Sequence, residues 1–129
     1  MENKLFKIRV YYEDTDAGGV VYYSNYLNFL ERARTQLLFE SGFTHTLLKE
    51  KFKIITLVKS CYIDFVSPAR LDDEIEISTL VVKKSKIQVF LNQDIYCNNS
   101  LIVKAKVRIA IVNIEGKVTR MPVDLFNIF

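Results

Sequence analysis

Two aspartates and a Gly-Gly pair lie within one short stretch, EDTDAGGVVYYSNYL, from Glu13 to Leu27. Asp16 is followed by Ala17, then by Gly18 and Gly19, and then by a helical pattern. A glycine pair lets the backbone turn tightly and lets a ligand approach the chain closely. A helix that starts just afterwards offers unpaired N–H groups and a partial positive charge. The stretch therefore predicts a site for negative charge.

One such charge is the oxyanion that develops during acyl transfer, with backbone N–H groups as its donors. Asp16 would then supply a carboxylate that attacks the carbonyl or activates a water. The alternative is structural, because Asp14, Thr15 and Asp16 could simply cap or tighten the turn before the helix. Spacing alone leaves both interpretations open.

A strand before this stretch and a helix after it would hold it in place. Lys4–Tyr12 is a short, imperfectly alternating run that predicts a first strand. Apolar residues spaced three and four apart predict an amphipathic helix over Tyr22–Glu40. Ser24, Asn25 and the Gly-Gly turn before them are all plausible starts of the helix, and Gly42 is the expected C-terminal cap.

The rest of the chain, after a connecting segment around Thr44–Lys53, alternates between apolar and polar residues as strands do. The alternating runs are Ile55–Phe65, Glu74–Thr79, Ile87–Ile95 and Val103–Ile111. Short connections between consecutive strands imply antiparallel hairpins and a meander-like sheet. We therefore expect one α+β domain over residues 1–129, with one long helix covering one face of an antiparallel sheet.

Composition excludes several classes of function. The net charge of +3 is too small to require nucleic acid, and no basic aromatic stripe is present. No apolar stretch is long enough to span a bilayer, and the N-terminus carries charges where a signal peptide has its apolar region. Cys61 and Cys97 lie in alternating apolar runs, where a reduced cysteine behaves as a small buried hydrophobe. We expect a cytoplasmic protein without a metal or another cofactor.

The run YYEDTDAGGVVYYSNYLNFLERAR, Tyr11 to Arg34, resembles the N-terminal signature of hotdog-fold acyl-CoA thioesterases of the 4-hydroxybenzoyl-CoA thioesterase family, Tol-Pal-associated subgroup. SPARLDDEIEI, Ser67 to Ile77, and GKVTRMP, Gly116 to Pro122, are similar to later parts of that family. The resemblance implies a hotdog fold, in which a curved antiparallel sheet wraps around one long central helix. It also implies homodimers paired edge to edge, with active sites at the interface, and their common association into homotetramers.

The resemblance assigns roles to individual residues. Asp16 matches the family's catalytic carboxylate, which acts as nucleophile or general base. Tyr23 matches the helix-start position whose backbone N–H polarises the thioester carbonyl, and Gly18 and Gly19 match the turn that brings the two together. Many Tol-Pal-associated members carry histidine where this chain has Tyr23. If the backbone N–H is what acts at this position, the change is tolerable; if an imidazole assists proton transfer in those members, this chain acts without it.

Coenzyme A carries several phosphates, which basic side chains at the mouth of the site would bind. Arg70, beside Pro68, is the preferred candidate. Weaker candidates are Lys59, Lys83, Lys84 and Lys86. Val20, Val21 and Tyr26 could line an acyl pocket, although a helix wrapped by a sheet buries most of its surface in the core.

The sequence thus predicts a thioesterase that hydrolyses acyl-CoA to a free acid and CoA, with acyl carrier protein as the other candidate carrier. The alternative is a non-catalytic acyl-CoA or acyl-carrier-protein binding module that uses the same helix start. A hotdog dehydratase or hydratase would need a histidine, and His45 lies outside the signature. Glu31 matches a position where the family often keeps an acid on the central helix. Because it lies on the polar side of the helix, it is expected to have a structural role and to pair with Arg34 or Thr35.

Overall fold

The structure is a computed structural model that describes residues 3–129. Within these residues a five-stranded antiparallel sheet is accompanied by three α-helices, which confirms the α+β class. The predicted first strand ends at Arg9 and is followed by a short 3-10 helix over Tyr12–Asp14. The strands are β1 (Lys4–Arg9), β2 (Ile54–Phe65), β3 (Glu74–Lys84), β4 (Gln88–Cys97) and β5 (Ser100–Asn113). The helices are α1 (Asn25–Glu40) and α2 (His45–Phe52), both between β1 and β2, and α3 (Val123–Ile128), after β5.

The strand order in the sheet is β1-β3-β4-β5-β2. Strands β3, β4 and β5 form the predicted hairpins, but β2 pairs with β5 at one edge of the sheet, so the meander prediction is wrong for β2. The connection that follows β2 is too long for a tight hairpin and carries the chain across the sheet to β3, which lies beside the opposite edge strand, β1. There the backbone N–H of Val10 donates to the carbonyl of Asp73 (2.8 Å), just before β3 pairs with β1.

Helix α1 is the central helix, and its apolar face packs on the sheet. The buried residues of this face are Tyr26, Phe29, Leu30, Ala33, Leu37 and Leu38. The first half of the face joins a core cluster with β1 and β3, and Leu38 in the second half joins a cluster with α2 and α3. Each large apolar side chain buried in this way contributes about 1.5–3 kcal/mol of transfer free energy. The helix therefore holds both halves of the core together.

The helix begins at Asn25 with Ser24 at the N-terminal cap position, one of the predicted caps, although the apolar pattern begins at Tyr22. Val21 pairs with Thr15 in an isolated bridge, and the backbone N–H of Tyr22 donates to the carbonyl of Asp14 (3.0 Å). These contacts hold Tyr22 outside the helix, so its apolar spacing does not belong to the helical pattern.

The helix ends at Glu40, and Gly42, which has a φ of +91°, terminates it as predicted. The N–H of Phe43 donates to the carbonyl of Leu38 (2.9 Å) and that of Gly42 to the carbonyl of Phe39 (3.1 Å). This pair of bonds is a Schellman motif, which requires a residue in the left-handed region after the helix.

Helix α2 occupies the segment around Thr44–Lys53, so the prediction of a simple connection is wrong. The hydroxyl oxygen of Thr44 accepts the N–H of Leu47 (3.0 Å) as an N-terminal cap, and Lys53 ends the helix with a φ of +58°. Leu48 anchors the helix in the core. With 8 residues, α2 is too short for its apolar period to stand out.

The two cysteines are free thiols, but the predicted burial is wrong for Cys61, which is exposed, while Cys97 is half-buried. Cys61 lies on edge strand β2, most of which is exposed. No helix in residues 3–129 has the length and apolar character needed to cross a membrane.

Candidate active site

The chain turns sharply between Asp16 and Val20. The N–H of Asp16 donates to the carbonyl of Val20 (2.9 Å), and the N–H of Gly19 donates to the carbonyl of Asp16 (3.1 Å). Gly19 has a φ of +76°, in the left-handed region that glycine adopts without steric cost. A turn closed by such a residue is a common hairpin loop. We call residues 16–20 the Asp16 turn.

The carboxylate of Asp16 is exposed to solvent and fixed by the turn itself. Its Oδ1 accepts the N–H of Gly18 at 2.8 Å. A Cβ at position 18 would lie 3.3 Å from the same oxygen, so glycine leaves room for the carboxylate in this position. No hydrogen-bond partner is found for Oδ2 among residues 3–129, which leaves this oxygen open to a substrate or a water.

The connection between β2 and β3 packs against the Asp16 turn. The N–H of Val21 donates to the carbonyl of Ala69 (2.9 Å), and Val20 forms an isolated bridge with Arg70. These contacts bring Arg70 beside the turn, with its side chain exposed.

Tyr26 and Val21, two predicted pocket residues, are 3% and 4% exposed and belong to the core. The hydroxyl oxygen of Tyr26 accepts the N–H of Ala69 at 2.9 Å. Burial raises the pKa of the Tyr26 phenol, and the Ala69 N–H opposes part of that effect. The phenol is therefore neutral and fastens the β2–β3 connection to α1. Val20 is half-buried beside them.

The start of α1 carries two unpaired donors. Ser24 occupies the N-terminal cap position, but its side chain makes no capping hydrogen bond. The next N–H group, that of Asn25, donates to the carbonyl of Tyr22 (2.9 Å). Within residues 3–129 no acceptor is found for the backbone N–H of Tyr23 or of Ser24. A helix start with free N–H groups attracts negative charge.

Asp14 supports this helix start, in agreement with the structural interpretation of that residue. It is buried, and its Oδ2 accepts the N–H of Tyr11 at 2.9 Å. Its carbonyl accepts both the N–H of Tyr22 (3.0 Å) and the side-chain amide of Asn25 (2.9 Å). Asp14 thus links the strand before the Asp16 turn to the helix after it.

The aromatic ring of Tyr23 is 62% exposed and packs edge-on against Phe65, with 6.2 Å between ring centroids. Tyr26 contacts the same Phe65 ring from the core side at 5.6 Å. Phe65 is the last residue of edge strand β2, so the helix start opens toward the free edge of the sheet.

His45 and Glu31 do not line the Asp16 turn. Glu31 accepts a hydrogen bond from the Thr35 hydroxyl (3.0 Å), and His45 Nε2 lies 2.9 Å from the same hydroxyl oxygen. Arg34, the other partner expected for Glu31, bonds to Gln93 instead (2.9 Å). In the described part of the chain, no group of three His, Cys, Asp or Glu side chains could hold a metal ion.

Comparisons with known proteins agree with this fold. The family model of the thioesterase-like superfamily matches residues 10–129, and the chain belongs to this superfamily. The acyl-CoA thioesterase YbgC of Haemophilus influenzae is 41% identical to it over 109 residues, which are 84% of this chain and 80% of that protein. The crystal structure of a probable thioesterase from Bartonella henselae is 38% identical, with a TM-score of 0.90, and covers 94% of this chain and 100% of its own.

The 4-hydroxybenzoyl-CoA thioesterase from a Pseudomonas species superposes with a TM-score of 0.91 over 100% of both chains. At 19% identity this likeness concerns the fold, and it identifies the sheet and central helix as a hotdog fold.

Proposed function

We propose that the protein hydrolyses acyl-CoA thioesters to a free carboxylic acid and coenzyme A. The observation that carries the proposal is the pair of unpaired N–H groups, those of Tyr23 and Ser24, at a helix start that follows the Asp16 turn. A thioester oxygen bound there gains negative charge as the reaction proceeds, and fixed N–H donors stabilise that charge without reorganisation. The names of similar proteins support the same activity.

In this proposal Asp16 is the nucleophile or the general base, and its free Oδ2 is the reacting oxygen. Gly18, Gly19 and Val20 form the wall against which the thioester lies. Val21 and Tyr26 support that wall from the core, since both are buried. The exposed guanidinium of Arg70 is placed to bind a phosphate of coenzyme A.

The experiment is free-thiol release from CoA esters of short, medium, long and aromatic acyl groups, with acyl carrier proteins bearing the same groups as a parallel panel. We expect release from CoA esters. Binding of acyl-CoA, measured by calorimetry, without release from any ester would overturn hydrolysis in favour of the non-catalytic binding module.

Replacing Tyr23 by phenylalanine should leave turnover within about threefold of the wild-type value, because the backbone N–H is retained and only the exposed hydroxyl is lost. The measurement is the rate of thiol release at saturating substrate. A loss of about a hundredfold, the size expected for a missing oxyanion donor, would show that the hydroxyl takes part in the reaction.

We further propose a homodimer that forms through edge strand β2 and can associate into a homotetramer. Apolar side chains along β2 are between 37% and 67% exposed, and they are Ile55, Leu57, Val58, Tyr62 and Phe65. A long apolar edge strand is stable in water when another strand covers it. Light scattering should therefore give two or four times the mass of one chain, and a monomeric mass would contradict the proposal.

We also propose that residues 1–129 form one hotdog thioesterase domain that works in the cytoplasm. The free thiols of Cys61 and Cys97 support this location, since reducing compartments keep cysteines in that form.

A further inference from the structure

The carbonyl oxygen of Asp14 holds the chain at two points around the start of α1. The backbone N–H of Tyr22 donates to this oxygen at 3.0 Å, and the side-chain Nδ2 of Asn25 donates to it at 2.9 Å. The two unpaired N–H groups of the helix start, those of Tyr23 and Ser24, lie in the chain between these two anchors. A segment this short has little freedom to turn when both of its ends are fastened to one oxygen. The two contacts therefore fix the direction of both free N–H groups.

Asn25 supplies the one anchor that depends on a side chain. It is the first residue of α1 and is half-buried. Its Oδ1 accepts the Nδ2 of Asn28 at 3.2 Å, so the nitrogen end of the amide is the end that faces Asp14. An asparagine near a helix start often accepts a backbone N–H of the first turn through its side-chain oxygen. Here the amide bonds to the preceding segment instead, and the N–H groups before it stay open.

We propose that Asn25 is a positioning residue for hydrolysis, whose amide holds the N–H groups of Tyr23 and Ser24 in line with the thioester oxygen. It acts through the Asp14 carbonyl and does not touch the substrate. This inference rests on the proposed function. Donors that are fixed in advance stabilise the developing charge without reorganisation, and a displacement of about 1 Å at a reacting group can cost about a hundredfold in rate. Loss of the amide therefore lowers kcat more than substrate affinity.

The first test is Asn25→Ala, which removes the donor to Asp14 and adds no charge. We expect kcat for thiol release to fall at least about tenfold, while calorimetric binding of an unreactive acyl-CoA analogue changes little. Asn127→Ala, the same substitution at an exposed position of α3, is the control and should keep the wild-type kcat. A folded Asn25→Ala protein with the wild-type kcat would overturn the proposal, as would a loss of analogue affinity as large as the loss of kcat.

The second test is Asn25→Asp, which keeps the shape of the side chain but ionises. A negative charge in the first turn of a helix is favourable, so this variant also covers the case in which Asn25→Ala does not fold. An ionised carboxylate cannot donate to the Asp14 carbonyl, and we expect kcat to fall about a hundredfold near neutral pH.

Protonation of the introduced carboxyl restores an O–H donor, and its usual pKa is about 4. The ratio of the Asn25→Asp kcat to the wild-type kcat should therefore rise several-fold as the pH falls from about 7 to about 5. The same ratio for Asn127→Asp should stay constant, since its carboxyl lies on an exposed face of α3. A ratio for Asn25→Asp that does not change with pH would overturn the donor role of the Asn25 amide.

NMR relaxation tests the positioning without any reaction. The order parameters of the Tyr23 and Ser24 backbone amides should match those of α1 in the wild type and fall in Asn25→Ala, because one anchor is lost. Unchanged order parameters would overturn the proposal. Absence of thiol release from the wild type with every ester would instead overturn hydrolysis, so the two failures are distinguishable.

Discussion

Replacing Asp16 by asparagine should lower kcat for acyl-CoA hydrolysis by about 10²–10⁴-fold, the usual contribution of a positioned acid–base group. Asparagine has nearly the same shape, and its carbonyl oxygen can still accept the N–H of Gly18, so the Asp16 turn is retained. The amide is neither a nucleophile nor a base of useful strength. Affinity for the substrate should change little, because the proposed phosphate contact is made by Arg70. Thiol release and calorimetric binding of an unreactive acyl-CoA analogue measure the two effects separately.

Glu13→Gln is the matched control, since Glu13 is exposed in the same segment and no hydrogen-bond partner is found for its side chain among residues 3–129. This variant should keep wild-type turnover. A folded Asp16→Asn protein that binds the analogue and retains wild-type turnover would show that Asp16 takes no part in the mechanism. Whether the protein hydrolyses acyl-CoA would still be decided by thiol release from the panel of esters.

The Asp16 turn and the central helix could be predicted because their determinants are close together in the sequence. The turn depends on residues 16–20, and α1 repeats its apolar spacing over 16 residues. The order of the strands in the sheet could not be predicted in this way. The neighbour of β2 is β5, which lies far along the chain, so no local pattern identifies it. Alternation shows that Ile55–Phe65 is a strand, but it does not show which strand lies beside it.

The residues of the candidate site also divide into those placed by nearby sequence and those placed by contacts far along the chain. Asp16 and the helix start are near each other in sequence, whereas the approach of Arg70 to Val20 arises from the crossing connection after β2. The resemblance to a known family, rather than residue spacing, suggested that Arg70 belongs there. The burial of Gln93 could be predicted locally, since it alternates in step with Val89, Leu91 and Ile95 on the apolar face of β4. Its partners on α1 and β3 could not be identified from that pattern.

Replacing Gln93 by leucine should lower the free energy of unfolding by about 2–4 kcal/mol. The side chain is wholly buried and joins α1 to β3 through Arg34 and Thr79. Leucine fills a similar volume but leaves the Thr79 hydroxyl and an Arg34 N–H without their partners, and each unpaired buried group costs about 1–3 kcal/mol. The Leu30 carbonyl loses less, because it keeps its acceptor role within the helix. Urea unfolding followed by circular dichroism gives the value.

Gln88→Leu, a half-buried position at the start of the same strand, is the control and should change stability by no more than about 0.5 kcal/mol. A double variant, Thr79→Val with Gln93→Leu, separates the effect of the lost hydrogen bond on stability from the effect of the changed side-chain shape. Removing both partners takes away the unpaired hydroxyl, so the double variant should be more stable than the sum of the single changes predicts. Strict additivity would mean that the Gln93–Thr79 bond adds nothing to stability, and the contribution of Gln93 would then come from its bonds to Arg34 and to the Leu30 carbonyl.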